Sequence, residues 1–196
     1  MPGARIFIVE DEKIVSRDLQ NVLESMGYEV AGVATSGEEA VGLIPGLRPD
    51  IVLMDIMLKG RMDGIEAAER VRSELEVPLI YLTAYADDMT LQRAKITEPY
   101  GYLLKPFDER DLSIAIEIAL YRHRMENRVR ASERWLSATL KNIGEGVAAV
   151  DADGKVVFLN PHGEVLTGWP ADEARGKPVE EVFNVLPARG GAENTG

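Results

Sequence analysis

A chain of 196 residues is long enough for one ordinary domain and part of another, and its 45% apolar and 28% charged residues read as globular. The formal net charge of −11 repels phosphate backbones, and no basic run offsets it, so direct nucleic-acid binding is disfavoured. The absence of cysteine removes disulfides, thiolate catalysis and cysteine-ligated metal; no apolar run spans a bilayer or marks a signal peptide, so no membrane association and a cytoplasmic address are expected.

Five short apolar runs occupy the first 107 residues: Arg5–Val9, Tyr28–Ala34, Ile51–Met54, Leu79–Leu82 and Tyr102–Leu104. Each has the length and Ile/Val/Leu/Tyr content of a buried strand. Between them lie helical spacings, as at Ile14, Leu19, Val22, Leu23 and Met26, and at Ile65, Ala68, Val71 and Leu75. Ser36 with Glu39 predicts a capping box at the start of the second helix, and Gly27, Gly46 and Pro78 are expected to punctuate element ends. Strands that are apolar on both faces and alternate with helices imply a doubly wound α/β fold with a parallel sheet. Five strands fit the flavodoxin-like order 2-1-3-4-5, whose site lies at the carboxyl ends of the strands.

From Asp108 to Asn142 there is no Gly or Pro. Ile118, Met125, Val129, Leu136 and Ile143 follow a seven-residue repeat with Arg122, Ser132 and Thr139 in the remaining core positions, which predicts a long linker helix with a dimerising seam. The plainer reading is a terminal helix packing partly on its own domain. After Ile143, GVAAVD and KVVFLN flanking ADG predict a hairpin, followed by short helices. The tail from 185 to 196 is Gly-rich and polar and is expected to be disordered.

The chemistry gathers at strand ends. Glu10 and Asp11 follow the first strand, Asp55 the third, Thr83 ends the fourth and Lys105 the fifth. The proposed topology brings all of these to one rim. Crowded carboxylates must take up a proton or recruit a cation, and all-oxygen ligation with water favours Mg²⁺. A carboxylate beside a metal and a lysine can attack phosphorus and form an aspartyl-phosphate, a reaction that needs mainly positioning and charge neutralisation. Alone, each residue has a plainer role: Asp55 as a turn residue, Thr83 as a strand-end hydroxyl, Lys105 as a solvated charge, Tyr102 as core. His123 and His162 have no second ligand at metal spacing and read as surface residues, and Trp135 and Trp169 as packing residues.

With Val9-Glu10-Asp11-Glu12, Asp55-Ile56-Met57, Met62-Asp63-Gly64, Thr83-Ala84 and Lys105-Pro106-Phe107 at these spacings, residues 1–122 resemble a response-regulator receiver domain of the CheY-like kind. The resemblance implies that Asp55 accepts a phosphoryl group from a phosphohistidine of a sensor histidine kinase or phosphotransfer protein. It implies Mg²⁺ bound by Asp11, Asp55 and the backbone carbonyl of Met57, with Glu10 acting mostly through water. Thr83 and Lys105 would meet phosphoryl oxygens, and Tyr102 would turn inward as Thr83 moves. The Lys105–Pro106 peptide is expected to be cis, Met57 and Tyr85 occupy positions that tune phosphoryl lifetime, and the receiver catalyses only its own phosphoryl transfer and dephosphorylation. The loop after Asp55, IMLKGRMDG, departs from the family: it is one residue longer than usual and has Lys59 where a proline is common.

Residues 143–184 resemble the opening of a PAS domain, through IGEGV, DADG, FLN, LTGW and GKP. They cover about half of such a domain, so a fragment of a longer protein is expected, with its output domain elsewhere. Two readings of the whole follow. In one, phosphorylation of Asp55 acts through a helix-linked homodimer on the PAS end; in the other, the receiver is a docking or phosphate-sink module with an inert PAS remnant.

Overall fold

The strands of a doubly wound sheet must bury both faces, and the side chains here divide accordingly. The computed structural model describes residues 3–84 and 88–183; Tyr85 and the 185–196 tail lie outside the described residues. The chain forms two compact units, Met1–Asn127 and Arg128–Gly196.

In the first unit, β1 (Arg5–Val9), β2 (Glu29–Ala34), β3 (Ile51–Asp55), β4 (Leu79–Thr83) and β5 (Gly101–Leu104) form a parallel sheet in the order β2-β1-β3-β4-β5. Alternate residues of each strand feed opposite cores. Phe7, Val9, Val52, Met54 and Tyr81 pack toward α2 (Gly37–Leu47), α3 (Gly64–Glu74) and α4 (Asp88–Ile96). Ile6, Ile8, Ile51, Leu53, Ile80 and Leu82 pack toward α1 (Lys13–Ser25) and the first turns of α5 (Glu109–Asn142). β3 and β4 are buried at every residue, which is why they read as unbroken apolar runs. The edge strands β2 and β5 are only partly buried.

Three local expectations change. Tyr28 precedes β2 rather than opening it: Gly27, at φ 82°, closes α1, and Tyr28 N–H donates to Leu23 O. Gly46 does not end α2. The helix runs through Pro45 and Gly46 to Leu47, and Arg48 takes the left-handed cap at φ 46°. The Ser36 hydroxyl accepts from Glu39 N–H at 3.2 Å as expected, but the Glu39 carboxylate reaches Thr35 N–H at 2.7 Å instead of completing the box on Ser36.

α5 is a single helix of 34 residues, capped by Asp108, whose carboxylate accepts from Asp111 N–H at 2.8 Å. Leu112, Ile116, Ala119 and Leu120 are its buried face in the first unit. Ile118, Val129 and Leu136 of the predicted seam are more than half exposed within the chain. Trp135, expected to be a packing residue, is 69% exposed; its place on a solvated helix face is the reason.

In the second unit, β6 (Ala148–Val150) and β7 (Val156–Leu159) form the expected antiparallel hairpin. Its turn is held by Asp151, whose Oδ1 accepts from Asp153 and Lys155 N–H, with Gly154 at φ 77°. α6 (Pro161–Thr167), α7 (Ala171–Ala174) and α8 (Val179–Phe183) follow. Val156, Leu159, Ala174 and Val182 form a small core with Trp169 packed on it. Asn160, fully buried, ties the unit together. Its Oδ1 accepts from Val147 and Gly163 N–H, and its Nδ2 donates to Leu140 O and Glu145 O.

Candidate functional site

Parallel pairing carries the chemical residues to one rim. Asp55 pairs with Leu82 and Thr83 with Leu104, Glu10 N–H donates to Ala34 O, and Lys105 N–H donates to Thr83 O at 2.7 Å. Glu10, Asp11 and Asp55 each offer an oxygen within 4.8 Å of the others. The Lys105 ammonium bridges two of them, 2.5 Å from Glu10 Oε2 and 2.5 Å from Asp55 Oδ2. The Lys105–Pro106 peptide is cis.

The carboxylates are unequally occupied. Glu10 is fully buried and both of its oxygens are engaged, Oε1 by Glu12 N–H at 3.3 Å and Oε2 by Lys105. Asp55, 7% exposed, accepts Met57 N–H on Oδ1 at 2.9 Å and Lys105 on Oδ2. Asp11 Oδ2 differs. It is buried, and its partner is the Lys59 ammonium, an ion pair with Nζ at 2.8 Å. A buried carboxylate oxygen that lies beside two other carboxylates and is met by a solvent-exposed ammonium fits a hard cation with oxygen ligands.

Burial pushes the Glu10 carboxyl above its ordinary value, the Lys105 hydrogen bond offsets part of that, and the Asp55 charge adds to it. Burial alone would lower the Lys105 ammonium, but its hydrogen bonds and charge interactions with Asp55 and Glu10 outweigh this and hold it protonated. The native state therefore binds the Glu10 proton more tightly than the unfolded chain does. Ionising Glu10 weakens the metal-free fold, and stability falls as pH rises through the window between 4.5 and the raised native value. Glu10→Gln is expected to stabilise the metal-free protein at pH 7 and to change nothing below pH 4.5, as checked by urea unfolding in a chelator at both pH values.

Two hydroxyls near the rim are open. Thr83 Oγ1 and Tyr102 OH are buried without a hydrogen-bond partner among the described residues. The Tyr102 ring stacks on Tyr81 with centroids 5.8 Å apart, and Tyr81 OH meets Thr97 Oγ1 at 2.9 Å.

The loop after Asp55 holds the residues that sequence reasoning missed. Arg61 N–H donates to Glu38 Oε1 of α2 at 3.2 Å. Asp63 caps α3 in a full capping box with Glu66 and pairs with Arg93 at 2.8 Å. The Asp63-x-x-Glu66 spacing was a readable signal for that box; the Lys59 and Glu38 contacts had none. His162 is exposed as expected, whereas His123 is half-buried, its Nδ1 3.0 Å from Tyr100 OH.

Comparison with known proteins agrees with this geometry. The family model for the response regulator receiver domain matches residues 6–117, and the PAS fold model matches 135–186, taking in the last turns of α5. A relative, the transcriptional regulatory protein PdtaR of Mycobacterium tuberculosis, is 41% identical over 120 residues, 61% of this chain and 58% of that protein. The chain thus spans little more than half of that relative. The signal receiver domain of a modulated diguanylate cyclase from Desulfovibrio desulfuricans is 44% identical with a TM-score of 0.61, covering 63% of this chain and 98% of that one. The receiver domain of a sensor histidine kinase from Pseudomonas aeruginosa, with a magnesium ion coordinated in its active-site cleft, is 30% identical with a TM-score of 0.56, covering 60% of this chain and 98% of that one. A parallel sheet in the order 2-1-3-4-5, an acidic rim bridged by one lysine and a family match over more than half the chain lead to one conclusion: the chain belongs to the response regulator receiver family of two-component signalling, with a PAS fold after its receiver domain.

Proposed function

We propose that this protein is a cytoplasmic response regulator in which Asp55 takes a phosphoryl group from the phosphohistidine of a sensor histidine kinase or phosphotransfer protein. The observation that carries the reading is Asp55 Oδ2 held on the Lys105 ammonium within one cluster of carboxylate oxygens shared with Glu10 and Asp11. Asp11, Asp55 and the Met57 carbonyl would hold Mg²⁺, with Glu10 acting mostly through water. The ion, when bound, supplies positive charge to the phosphoryl oxygens. An Asp55 carboxylate oxygen forms the bond to phosphorus while the phosphorus–nitrogen bond to the donor imidazole breaks. Lys105 stays against the site and neutralises the added charge. The Thr83 hydroxyl, buried and without a partner among the described residues, turns to a phosphoryl oxygen, and Tyr102 follows it.

The test is incorporation of phosphate from a small acyl-phosphate donor. The wild-type chain is expected to take up one equivalent with Mg²⁺ and none with a chelator; labelling that ignores the chelator would overturn the reading.

We take residues 1–122 as the receiver, 108–142 as the signalling helix and 143–184 as a partial PAS domain. The exposed apolar stripe of Ile118, Val129 and Leu136 supports homodimerisation along α5. Sedimentation is expected to show a dimer, strengthened by an acyl-phosphate mimic; a monomer under both conditions would count against it. The PAS region and any output beyond it would then read a change in helix pairing.

A further inference from the structure

We infer that Lys59 is a tethered cation that competes with a divalent metal ion for Asp11, so that the loop after the acceptor sets how readily the site takes up metal. The inference rests on the Mg²⁺ reading above.

Among the described residues, three carboxylates share the rim and two ammonium groups answer them. Lys105, only 19% exposed at its side chain, serves Glu10 and Asp55. Lys59 serves Asp11, and the partners are unlike: the lysine side chain is 80% exposed and the carboxylate 8%. The buried Asp11 oxygen that would ligate the metal is the one this ammonium covers, and the cation over it comes from the solvent side. The ammonium sits at 2.8 Å, where a metal ion and a lysine cannot share the oxygen without like charges in contact.

The loop keeps the lysine near. On one side of it Met57 N–H is bound to Asp55 Oδ1, and on the other Arg61 N–H is bound to Glu38 Oε1. A side chain rooted between two anchored points meets Asp11 at a high local concentration. Metal entry must first return Lys59 to water, at small cost because it is already mostly exposed. The apparent metal affinity is then lowered by the fraction of molecules in which Asp11 is free.

Calorimetric titration of the full chain with MgCl₂ at low ionic strength tests this. Lys59→Met, which keeps length and removes charge, is expected to bind Mg²⁺ about two- to fivefold more tightly than wild type, within the range of an exposed ion pair. Lys59→Arg is expected to stay within about twofold of wild type, since it keeps the charge. Binding by Lys59→Met that equals or falls below wild type overturns the inference, as does an equal gain in Lys59→Arg. No Mg²⁺ binding by wild type or Lys59→Met would instead overturn the metal reading beneath it. Binding by wild type that Asp11→Asn abolishes and Lys59→Met leaves unchanged would overturn only the role of Lys59.

Discussion

Asp55→Asn is expected to abolish Mg²⁺-dependent labelling by an acyl-phosphate donor while leaving the fold intact. An amide oxygen is a poor nucleophile toward phosphorus and carries no charge for the metal or for Lys105 to hold. The Asn side-chain oxygen can still accept Met57 N–H, so the loop keeps its first anchor. Lys105 keeps Glu10, so no ammonium is stranded. Relief of one charge among three crowded carboxylates acts in favour of the fold. Phosphate incorporation and far-UV circular dichroism, measured on the same sample, separate the outcomes. Labelling that persists, or that moves to Asp11, would show that the acceptor is misassigned.

Gly64→Ala is expected to be among the most destabilising single substitutions in the receiver. A Cβ at Gly64 would lie 1.9 Å from the Asp55 carbonyl oxygen, 2.9 Å from its carbon and 3.1 Å from Ile56 Cα. All three are backbone atoms of the Asp55–Ile56 segment, so no rotamer change relieves the clash. Gly64 N–H also donates to Ile56 O at 3.0 Å, which presses the start of α3 onto that segment. Alanine gains about 1 kcal/mol over glycine within a helix. The steric term exceeds this, and a net loss of about 3 kcal/mol or more is expected in urea unfolding, with slower labelling of Asp55. Gly42, inside α2, is the control, because a Cβ there would meet no neighbouring atom within 4 Å. Gly42→Ala should stabilise by about 0.5–1 kcal/mol. Equal effects at the two glycines would show that the approach of α3 to the Asp55–Ile56 segment does not matter.

The sheet was legible because its central strands are buried on both faces, and burial on both faces leaves nothing but apolar residues. β3 and β4 were therefore found within a residue of their ends, while Tyr28, at a partly exposed edge, was drawn into β2 although it packs beneath α1. The acidic rim was legible for a topological reason: Glu10, Asp55, Thr83 and Lys105 each stand at the same end of a parallel strand. Contacts made by loops were not. Lys59 reaches Asp11, and Arg61 reaches Glu38, by paths that no periodicity records. Gly46 misled because glycine is a common helix end, whereas Arg48 took the left-handed position here. Trp135 misled because bulk usually means burial, yet it lies on the solvated side of α5. The hairpin of the second unit was readable from its Gly-containing turn, but the fourfold use of Asn160 was not, since it depends on the carbonyls of Leu140 and Glu145 facing one amide.

The bridge from Lys105 to Glu10 joins residues 95 positions apart, and the bridge to Asp55 spans 50. Closing loops of that size is slow, and in a parallel sheet it waits on each crossover helix. Lys105 follows the last strand of the parallel sheet, so a chain still being synthesised exposes Asp55 and its acidic neighbours long before their lysine exists. The rim is thus complete only when the parallel sheet is, and until then Glu10 and Asp55 face one another without the ammonium that bridges them.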